Sequence, residues 1–411
     1  MEIAGLTETE EKQREGSLRI GLFCDSYTPH MDGVSISLHL VADGLRHAGH
    51  QVTVFVPRFP GYQDDEPGIF RAPALPYPCN PPYYIAVPGA PRYTWTLSRM
   101  HLDVLHANTP LTIGMLAYLI AATRKLPLIY TYHTYIAEYT HHVKFVGDTR
   151  AIRRAARWFS TASTNLGDQV VVPSPKFKRL LLEQKVRKPI HVIPNGIDLD
   201  HFNRSKKPGS LHTRLGLKPE TPLLLSVGRL DPEKRLEFLI KAVACLPTLD
   251  PAPHLVFVGD GSARRDLEAR AASTPVHDRI HFLGMIPHTD IPDLLHDATV
   301  FLSASTTETQ CLAMVEAIAA GLPVMAVKDE AFEGIVVDGE NGSQAALDIQ
   351  SYSAALSSLL SDPANLTRYG RRSVELSQKF SIQGQVQALE NLYSVAITQN
   401  QRAQDMAVFG S

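Results

Sequence analysis

LRIGLFCDSYTPHMDGVSISLHLVADGLRHAGHQVTVFVP, Leu18–Pro57, sets the pattern that the rest of the chain repeats. LRIGLFCD is an apolar run of strand length that ends in a glycine-containing turn. ISLHLVADGLRHAG then carries apolar residues at helical spacing and stops at Gly49, the residue type that best closes a helix C-terminus. QVTVFVP follows as a second strand. The same order of strand, helix and strand recurs through DVLH, LIYTYH, QVVVP and HVIP, which predicts a mostly parallel, doubly wound α/β sheet.

Between His201 and Pro222 the composition turns polar, and a new apolar strand, PLLLSVG, begins at once afterwards. The alternation resumes through HLVFVGDG, RIHFLG, ATVFLSAS and PVMAV, with helical stretches such as KRLEFLIKAVACL between them. A length of 411 residues also suits two cores better than one. The expected organisation is a disordered tail over 1–17, a Rossmann-like domain over 18–203, a second over 204–375, and a C-terminal helix and tail over 376–411, whose packing on one half or the other the sequence leaves open, a return to the first domain being one option. Two such units leave a cleft, with ligands expected at the carboxyl ends of the strands.

Composition removes several classes. A formal net charge of −2 gives no global attraction to nucleic acid or membrane, so any such pull is local. Cys24, Cys79, Cys245 and Cys311 lie far apart without a CxxC pair, which argues against a disulfide framework or zinc site and fits a reducing cytosol. The first 17 residues lack an apolar run and read as neither signal nor anchor. LTIGMLAYLIAA, Leu111–Ala122, falls short of the roughly 20 residues that span a bilayer and reads as a core helix. The acids of DLD, Asp198–Asp200, are weak evidence for a metal, and no metal site is assigned.

Four stretches can carry chemistry. In VGRLDPEKR, Val227–Arg235, a strand ends at Gly228 and releases Arg229 and Lys234 just before a helix; two cations beside free helix amides suit a diphosphate, and a solvated capping loop is the plain alternative. In TETQCLAMVEA, Glu308 and Glu316 stand eight residues apart, with Glu316 inside a helical run. Carboxylates there suit sugar hydroxyls, while a solvated helix face is the ordinary reading of such a pair. In DSYTPHMDGVSISL, Asp32 and Gly33 lie between a strand end and a helix start, where glycine allows close backbone approach to a ligand or simply a tight turn. LIYTYHTY delivers His133 at a strand terminus.

In this order, DSYTPHMDGVSIS, YTYHTYIAEYTHH, VVPSPKFKRLL, VIPNGIDLDHF, VGRLDPEKR, VGDGS and TETQCLAMVEA resemble the retaining glycosyltransferases of family 4, from Leu18 to about Leu392. The resemblance implies the GT-B fold and a metal-independent transfer of a hexose from a nucleotide sugar, with no cofactor. It implies that Arg229 and Lys234 hold the donor diphosphate and that Glu308 and Glu316 hold the donor sugar and the ribose. Gly33, Gly261, Cys311 and Leu312 would complete the donor site, and His133 would face the transferred sugar. Cys311 stands where the family usually has glycine.

YHTYIAEYTHHVKFVG and PSPKFKRLL look most like the branch that glycosylates diacylglycerol, which implies UDP-glucose or UDP-galactose as donor, a lipid acceptor, and a cytoplasmic protein held peripherally at the membrane. Thr134, Lys144, Arg153, Arg154, Arg157 and Trp158 are the expected acceptor or membrane residues. Independently, Lys144–Lys188 holds eleven Lys and Arg against three Asp and Glu, including RAIRRAARWF. That pattern suits an anionic membrane surface, or else a solvated helix face. The competing functions are a family 4 transferase with a non-lipid or phosphatidylinositol-type acceptor and a GDP-mannose donor, a nucleotide-sugar epimerase, and a non-enzymatic sugar-nucleotide sensor. A dinucleotide dehydrogenase is disfavoured because GDGSAR, Gly259–Arg264, lacks the third glycine of the fingerprint.

Overall fold

The computed structural model describes residues 16–29, 32–76, 84–87, 91–133, 150–204 and 207–409. They form two α/β units. The first runs to Gly196 and takes in the chain again from Ile382; the second is Ile197–Ser381.

In the first unit β1 (Arg19–Phe23), β2 (Gln51–Pro57), β3 (Ile69–Ala72), β6 (Val104–Ala107), β7 (Leu128–Thr131), β8 (Gln169–Val172) and β9 (Ile190–Val192) make one sheet. Its order is β3-β2-β1-β6-β7-β8-β9, every neighbour parallel. A short antiparallel pair, β4 (Ala74–Pro76) and β5 (Tyr84–Ala86), lies apart from it. Successive strand residues point to opposite faces, so β1 sends Ile20 and Leu22 to one core and Phe23 to the other. The first core is closed by the Gly33–His47 helix through Leu38, Val41, Ala42 and Leu45. Asp32 caps that helix, accepting from the amides of Val34 and Ser35, and Gly49 follows its end at φ +93°.

The last helix, Ile382–Phe409, closes the same core with Ile382, Val386, Leu389, Leu392, Tyr393 and Ala396. It crosses the Gly33–His47 helix at Gly44, where an added Cβ would stand 2.5 Å from Val386 Cγ2. Its apolar residues recur every three or four positions, which is why it needs a sheet to cover it. The opposite core is covered by the Thr112–Arg124 helix, through Ile113, Leu116, Ala117 and Ile120. LTIGMLAYLIAA, read as a core helix, packs on the core by one side alone. Leu111, Met115 and Leu119 stand 55%, 42% and 57% exposed, because only one side of the helix meets the sheet.

The second unit repeats the plan with β10 (Leu223–Val227), β11 (His254–Val258), β12 (Ile280–Phe282), β13 (Val300–Ser303), β14 (Val324–Val327) and β15 (Gly342–Ala345), in the order β12-β11-β10-β13-β14-β15 and parallel throughout. Leu223 and Leu225 enter one core, Leu224 the other. The polar stretch after His201 lies inside this unit: Ile197 and Phe202 are buried in its core, and the Ile197 amide donates to the Phe380 carbonyl at 2.8 Å. Asp198, the first acid of DLD, caps a one-turn helix, Leu199–Phe202, through the amides of Asp200 and His201. Among the described residues no helix is long and apolar enough to cross a membrane.

A buried hydrogen-bond chain pins the last helix to the first sheet. Tyr393 Oη lies 2.7 Å from His106 Nδ1 on β6, and His106 Nε2 lies 2.6 Å from Thr131 Oγ1 on β7. Tyr393→Phe leaves His106 Nδ1 buried without its partner and is expected to lower unfolding stability by about 1–3 kcal/mol in urea titrations; an unchanged midpoint would show that the bond contributes nothing net.

Candidate active site

Each sheet reverses its strand order once, between β1 and β6 in the first unit and between β10 and β13 in the second. At such a point the loops leave the strand ends in opposite directions, and a crevice opens beyond the carboxyl ends. The residues expected to carry chemistry gather at these two places.

In the second unit, β10 runs into Gly228 at φ +143° and β11 into Gly259 at φ +130°. A Cβ on Gly259 would run into the Gly228 carbonyl, so the two turns touch only because Gly259 has none. Arg229 follows Gly228. Its Nη1 donates to Asp231 Oδ2 at 2.5 Å and its Nη2 to Glu233 Oε1 at 3.3 Å. Asp231 Oδ1 also accepts from the Ser262 amide and hydroxyl, at 2.9 and 2.8 Å, which ties the Arg229 loop to the turn after β11. Gly261 lies in that turn, and a Cβ there would stand 2.6 Å from the Leu230 backbone. Lys234 closes a 3-10 turn, Pro232–Lys234, and its Nζ donates to Glu308 Oε1 at 2.5 Å.

Arg229, Lys234, Glu308 and Cys311 line one pocket with Gly228, Ser305 and the end of β13. Burial pushes the Glu308 carboxyl up, and the charge and hydrogen bond of Lys234, helped by Arg229, more than offset it, so its pKa lies below the ordinary value. Glu308 is therefore a carboxylate. Burial raises the Cys311 thiol to about 12, so it keeps its proton. Cys311, not Glu308, is the N-cap of the Leu312–Ala319 helix, without a side-chain cap bond, and Leu312 opens that helix against the core. Ser305 Oγ is buried at the same pocket and also favours the charged form of Glu308.

Glu316 lies down the helix, 6% exposed and outside that pocket lining. Its Oε1 accepts from His288 Nε2 at 2.9 Å, a bond that raises the His288 pKa against the opposing effect of burial. His288 in turn stacks on His201, ring centroids 5.9 Å apart.

In the first unit Asp25, just beyond β1, accepts from Thr109 Oγ1 at 2.6 Å, Thr112 Oγ1 at 2.6 Å and the Ile113 amide at 2.9 Å. It holds the ends of β1 and β6 and the start of the Thr112–Arg124 helix in one piece. His133, beyond β7, bonds through Nε2 to Asn108 Oδ1, beyond β6, at 3.0 Å. Gly33 is exposed at the first position of the helix capped by Asp32.

Thr134 and Lys144 lie outside the described residues, as does the side chain of Arg153. Arg154, Arg157, Trp158 and Phe159 are exposed on the Arg150–Thr164 helix, Trp158 at 72%. Asp25, Asn108, Asp231, Ser262, His288 and Ser305 escape the sequence reading. Asp25 and Asn108 carried a signal, a polar residue directly after a buried parallel strand; Asp231 and Ser262 sit inside quoted motifs.

Two parallel-sheet α/β units with chemistry-bearing residues at their strand ends are the GT-B architecture of glycosyltransferases. Sucrose-phosphate synthase from Thermosynechococcus elongatus has a similar fold, with a TM-score of 0.78 at 23% identity over 93% of this chain and 100% of that one. Residues 31–201 match the model of Glycosyltransferase Family 4, and residues 210–386 that of Glycosyl transferases group 1. The chain is 30% identical to the alpha-monoglucosyldiacylglycerol synthase of Streptococcus pneumoniae over 78% of its own length and 74% of the relative's. It is also 30% identical to that of Acholeplasma laidlawii, over 79% and 84%. The protein belongs to glycosyltransferase family 4, and it is a hexosyltransferase.

The first unit makes its stability pH-dependent. Burial lowers His106 to about 3 and His133 to about 4, with Asp32 opposing the shift at His133. An unfolded chain protonates both histidines below about 6.5, whereas the folded one does not until pH nears 4. The unfolded state thus binds more protons in that window. The stabilisation is complete above it and is lost as pH falls. Unfolding free energies from urea titrations are expected to drop from pH 6.5 to 5 at a limiting rate of about 1.4 kcal/mol per pH unit per histidine. His106→Gln should lose roughly half of that dependence; an identical slope in the variant would remove His106 from the effect.

Proposed function

We propose that this hexosyltransferase moves glucose or galactose from its UDP derivative to diacylglycerol at an anionic membrane surface, with retention of anomeric configuration and without a metal. The carrying observation is the Arg229, Lys234 and Glu308 cluster at the second switch point. It occurs in a chain 30% identical to two synthases named for a glucosyl group on diacylglycerol. The departing nucleoside diphosphate gathers negative charge as the glycosidic bond breaks. Arg229 and Lys234, already held near the strand ends, would meet that charge and take the part a metal plays elsewhere. Glu308, kept as a carboxylate, would accept hydrogen bonds from sugar hydroxyls, and Glu316 from the ribose. His133 and the Gly33 amide of the first unit would serve the transferred hexose and the diphosphate.

The membrane part of the proposal rests on the Arg150–Thr164 helix. Its exposed Arg154 and Arg157 stand beside exposed Trp158 and Phe159, cations with an aromatic edge. Each cation can contribute about 1 kcal/mol near an anionic surface. Arg154→Glu with Arg157→Glu should weaken sedimentation with vesicles containing anionic lipid at least tenfold and leave zwitterionic vesicles unaffected; equal binding by parent and variant would remove this helix from the contact.

The deciding assay supplies labelled UDP-glucose, UDP-galactose or GDP-mannose with diacylglycerol in anionic mixed micelles, with and without EDTA. The expected outcome is lipid-extractable label from a UDP-hexose, undiminished by EDTA, in an α-linkage. Transfer only from GDP-mannose to phosphatidylinositol would replace both donor and acceptor, and donor binding without turnover would favour a sensor. Glu308→Gln should lower kcat at least a hundredfold with the fold intact by circular dichroism. Near-normal turnover would remove Glu308 from the site.

A further inference from the structure

The Pro363–Ser377 helix turns one side to the cores of the second unit and the other to solvent. Tyr369, Ser373 and Leu376 face inward. On the outer side Thr367, Arg368, Arg371, Arg372 and Glu375 stand three or four residues apart, and with Ala364 and Glu340 they line an open hollow of about 460 Å³. A second hollow, of about 410 Å³, shares Thr367 and Arg371 with it and has Leu366, Pro323 and Val374 as an apolar wall. Glu340 lies just before β15, Pro323 just before β14, and Thr299, also in the second hollow, just before β13. The sheet is parallel, so these are the amino ends of the strands, opposite the pocket of Arg229, Lys234 and Glu308. We propose that the two hollows form a second ligand site, which takes the phosphate monoester of a small organic molecule between Arg368 and Arg371.

The charges of the first hollow are unevenly spent. Arg372 gives Nε to Glu340 Oε2 at 2.9 Å and Nη1 to Glu375 Oε2 at 2.8 Å, so one arginine holds both acids. Arg368 meets only neutral oxygens: Asn365 Oδ1, at 3.2 Å from Nε and 2.9 Å from Nη2, and the Gly339 carbonyl at 3.4 Å; it also lies over the Tyr369 ring. Arg371 is exposed and makes no hydrogen bond or ion pair with any described residue. Two guanidinium groups three residues apart thus lack an acid and repel each other along the helix. A carboxylate has two oxygens, which one guanidinium fork fills. A phosphate monoester has three and carries a charge of about −1.5 to −2 at neutral pH, enough for both.

The space holds more than a bare ion. About 460 Å³ falls within the roughly 300–1,000 Å³ of small-molecule sites, and the adjoining apolar wall suits the organic part of an ester. The floor of the site is fixed. A Cβ on Gly370 would stand 2.5 Å from the Gly321 carbonyl oxygen, so this helix reaches the end of the Leu312–Ala319 helix only because residue 370 has no side chain. Ser373 Oγ, wholly buried, donates to the Leu322 carbonyl at 2.7 Å and accepts from Asn341 Nδ2 at 3.3 Å. The two arginines therefore stand on a helix anchored to the amino ends of the strands, and the site does not depend on the transfer reaction proposed above.

The test uses the full chain labelled with 15N-arginine, in which the Arg371 Nε–H signal is identified by its loss in Arg371→Gln. Glycerol 3-phosphate is expected to move that signal to saturation, with or without excess UDP, and dimethyl phosphate, a singly charged diester, to bind about tenfold more weakly or worse. Calorimetry should show glycerol 3-phosphate binding weakened by the same factor in Arg371→Gln, at an unchanged melting temperature, and unaltered in Lys234→Ala. Dihexanoyl phosphatidate, soluble and with the same monoester head, separates the sources: tighter binding than glycerol 3-phosphate points to a lipid headgroup, equal or weaker binding to a soluble ester. Displacement by UDP, or loss of binding in Lys234→Ala rather than in Arg371→Gln, would give the ester to the donor pocket and overturn the site. An Arg371 signal that moves for neither monoester would leave a solvated helix face, and equal affinity for dimethyl phosphate would overturn the choice of a monoester.

Discussion

A parallel sheet buried on both faces is the constraint from which both units follow. Each strand feeds two cores by alternation, as Leu223 and Leu225 oppose Leu224, so helices must cover both sides. A right-handed crossover can lay helices on both faces only if the strand order reverses somewhere. In each unit the reversal falls beside the first strand, at β1/β6 and β10/β13. The carboxyl ends there are left without a covering crossover, and there the polar residues collect. In the first unit Asp25 ties the diverging loops together through Thr109, Thr112 and the Ile113 amide; in the second the Lys234–Glu308 pair joins the loops after β10 and β13, while Asp231 joins Arg229 to Ser262 in the turn after β11. Asp25 and Asp231 thus spend their hydrogen bonds on the scaffold.

Electrostatics in the second unit are arranged before any ligand arrives. Arg229 is braced by Asp231 and Glu233, and Lys234 by Glu308. Acids that hold these cations in the free protein fix their positions, which would spare reorganisation if they meet developing negative charge as proposed. The same bracing divides labour among the acids. Asp231 and Glu233 shape the cation, whereas Glu308 shares Lys234 with whatever binds in the pocket. Lys234 is thus the side chain whose partner would change between free and occupied states, and Arg229 the one that would stay in place.

Most of the fold was legible because fully buried strands leave an unmistakable trace: IGLF, VTVFVP, LLLSV and HLVFV are largely apolar runs of strand length, the last two set between proline and glycine. β3 and β15 were not, since IFRA carries a charge and GSQA is small and polar; their strand character comes from registry with β2 and β14 rather than from their own side chains. The place where the chain passes between units was obscured for a related reason. Composition marks where the surface becomes polar, but Ile197 and Phe202 fix the passage by burial, and Phe202 is buried inside a polar stretch. At the site, the motifs gave the residues that differ in chemistry from their surroundings, Arg229, Lys234, Glu308 and His133. They did not give Asn108 or His288, whose importance lies in a partner distant in sequence. Nor could spacing place Glu308 relative to its helix: Cys311 takes the N-cap and leaves Glu308 three residues outside it.

The return of the last helix to the first unit gives that unit's strand ends a second support. Tyr393 reaches His106, and His106 reaches Thr131, two residues before His133. The His106 carbonyl in turn takes the Asn108 amide whose other end meets His133. The imidazole proposed to meet the sugar is therefore positioned from both sides, by the backbone of β7 and by a side chain whose orientation depends on β6. Since β6 is clamped by a helix contributed from the end of the chain, the geometry of His133 depends on residues almost three hundred positions away, Tyr393 on His106. Low-dielectric burial makes such a chain all-or-none, because each unpartnered member costs more than its bond contributes. A site held in this way can lose its alignment through a substitution in the last helix that touches no ligand.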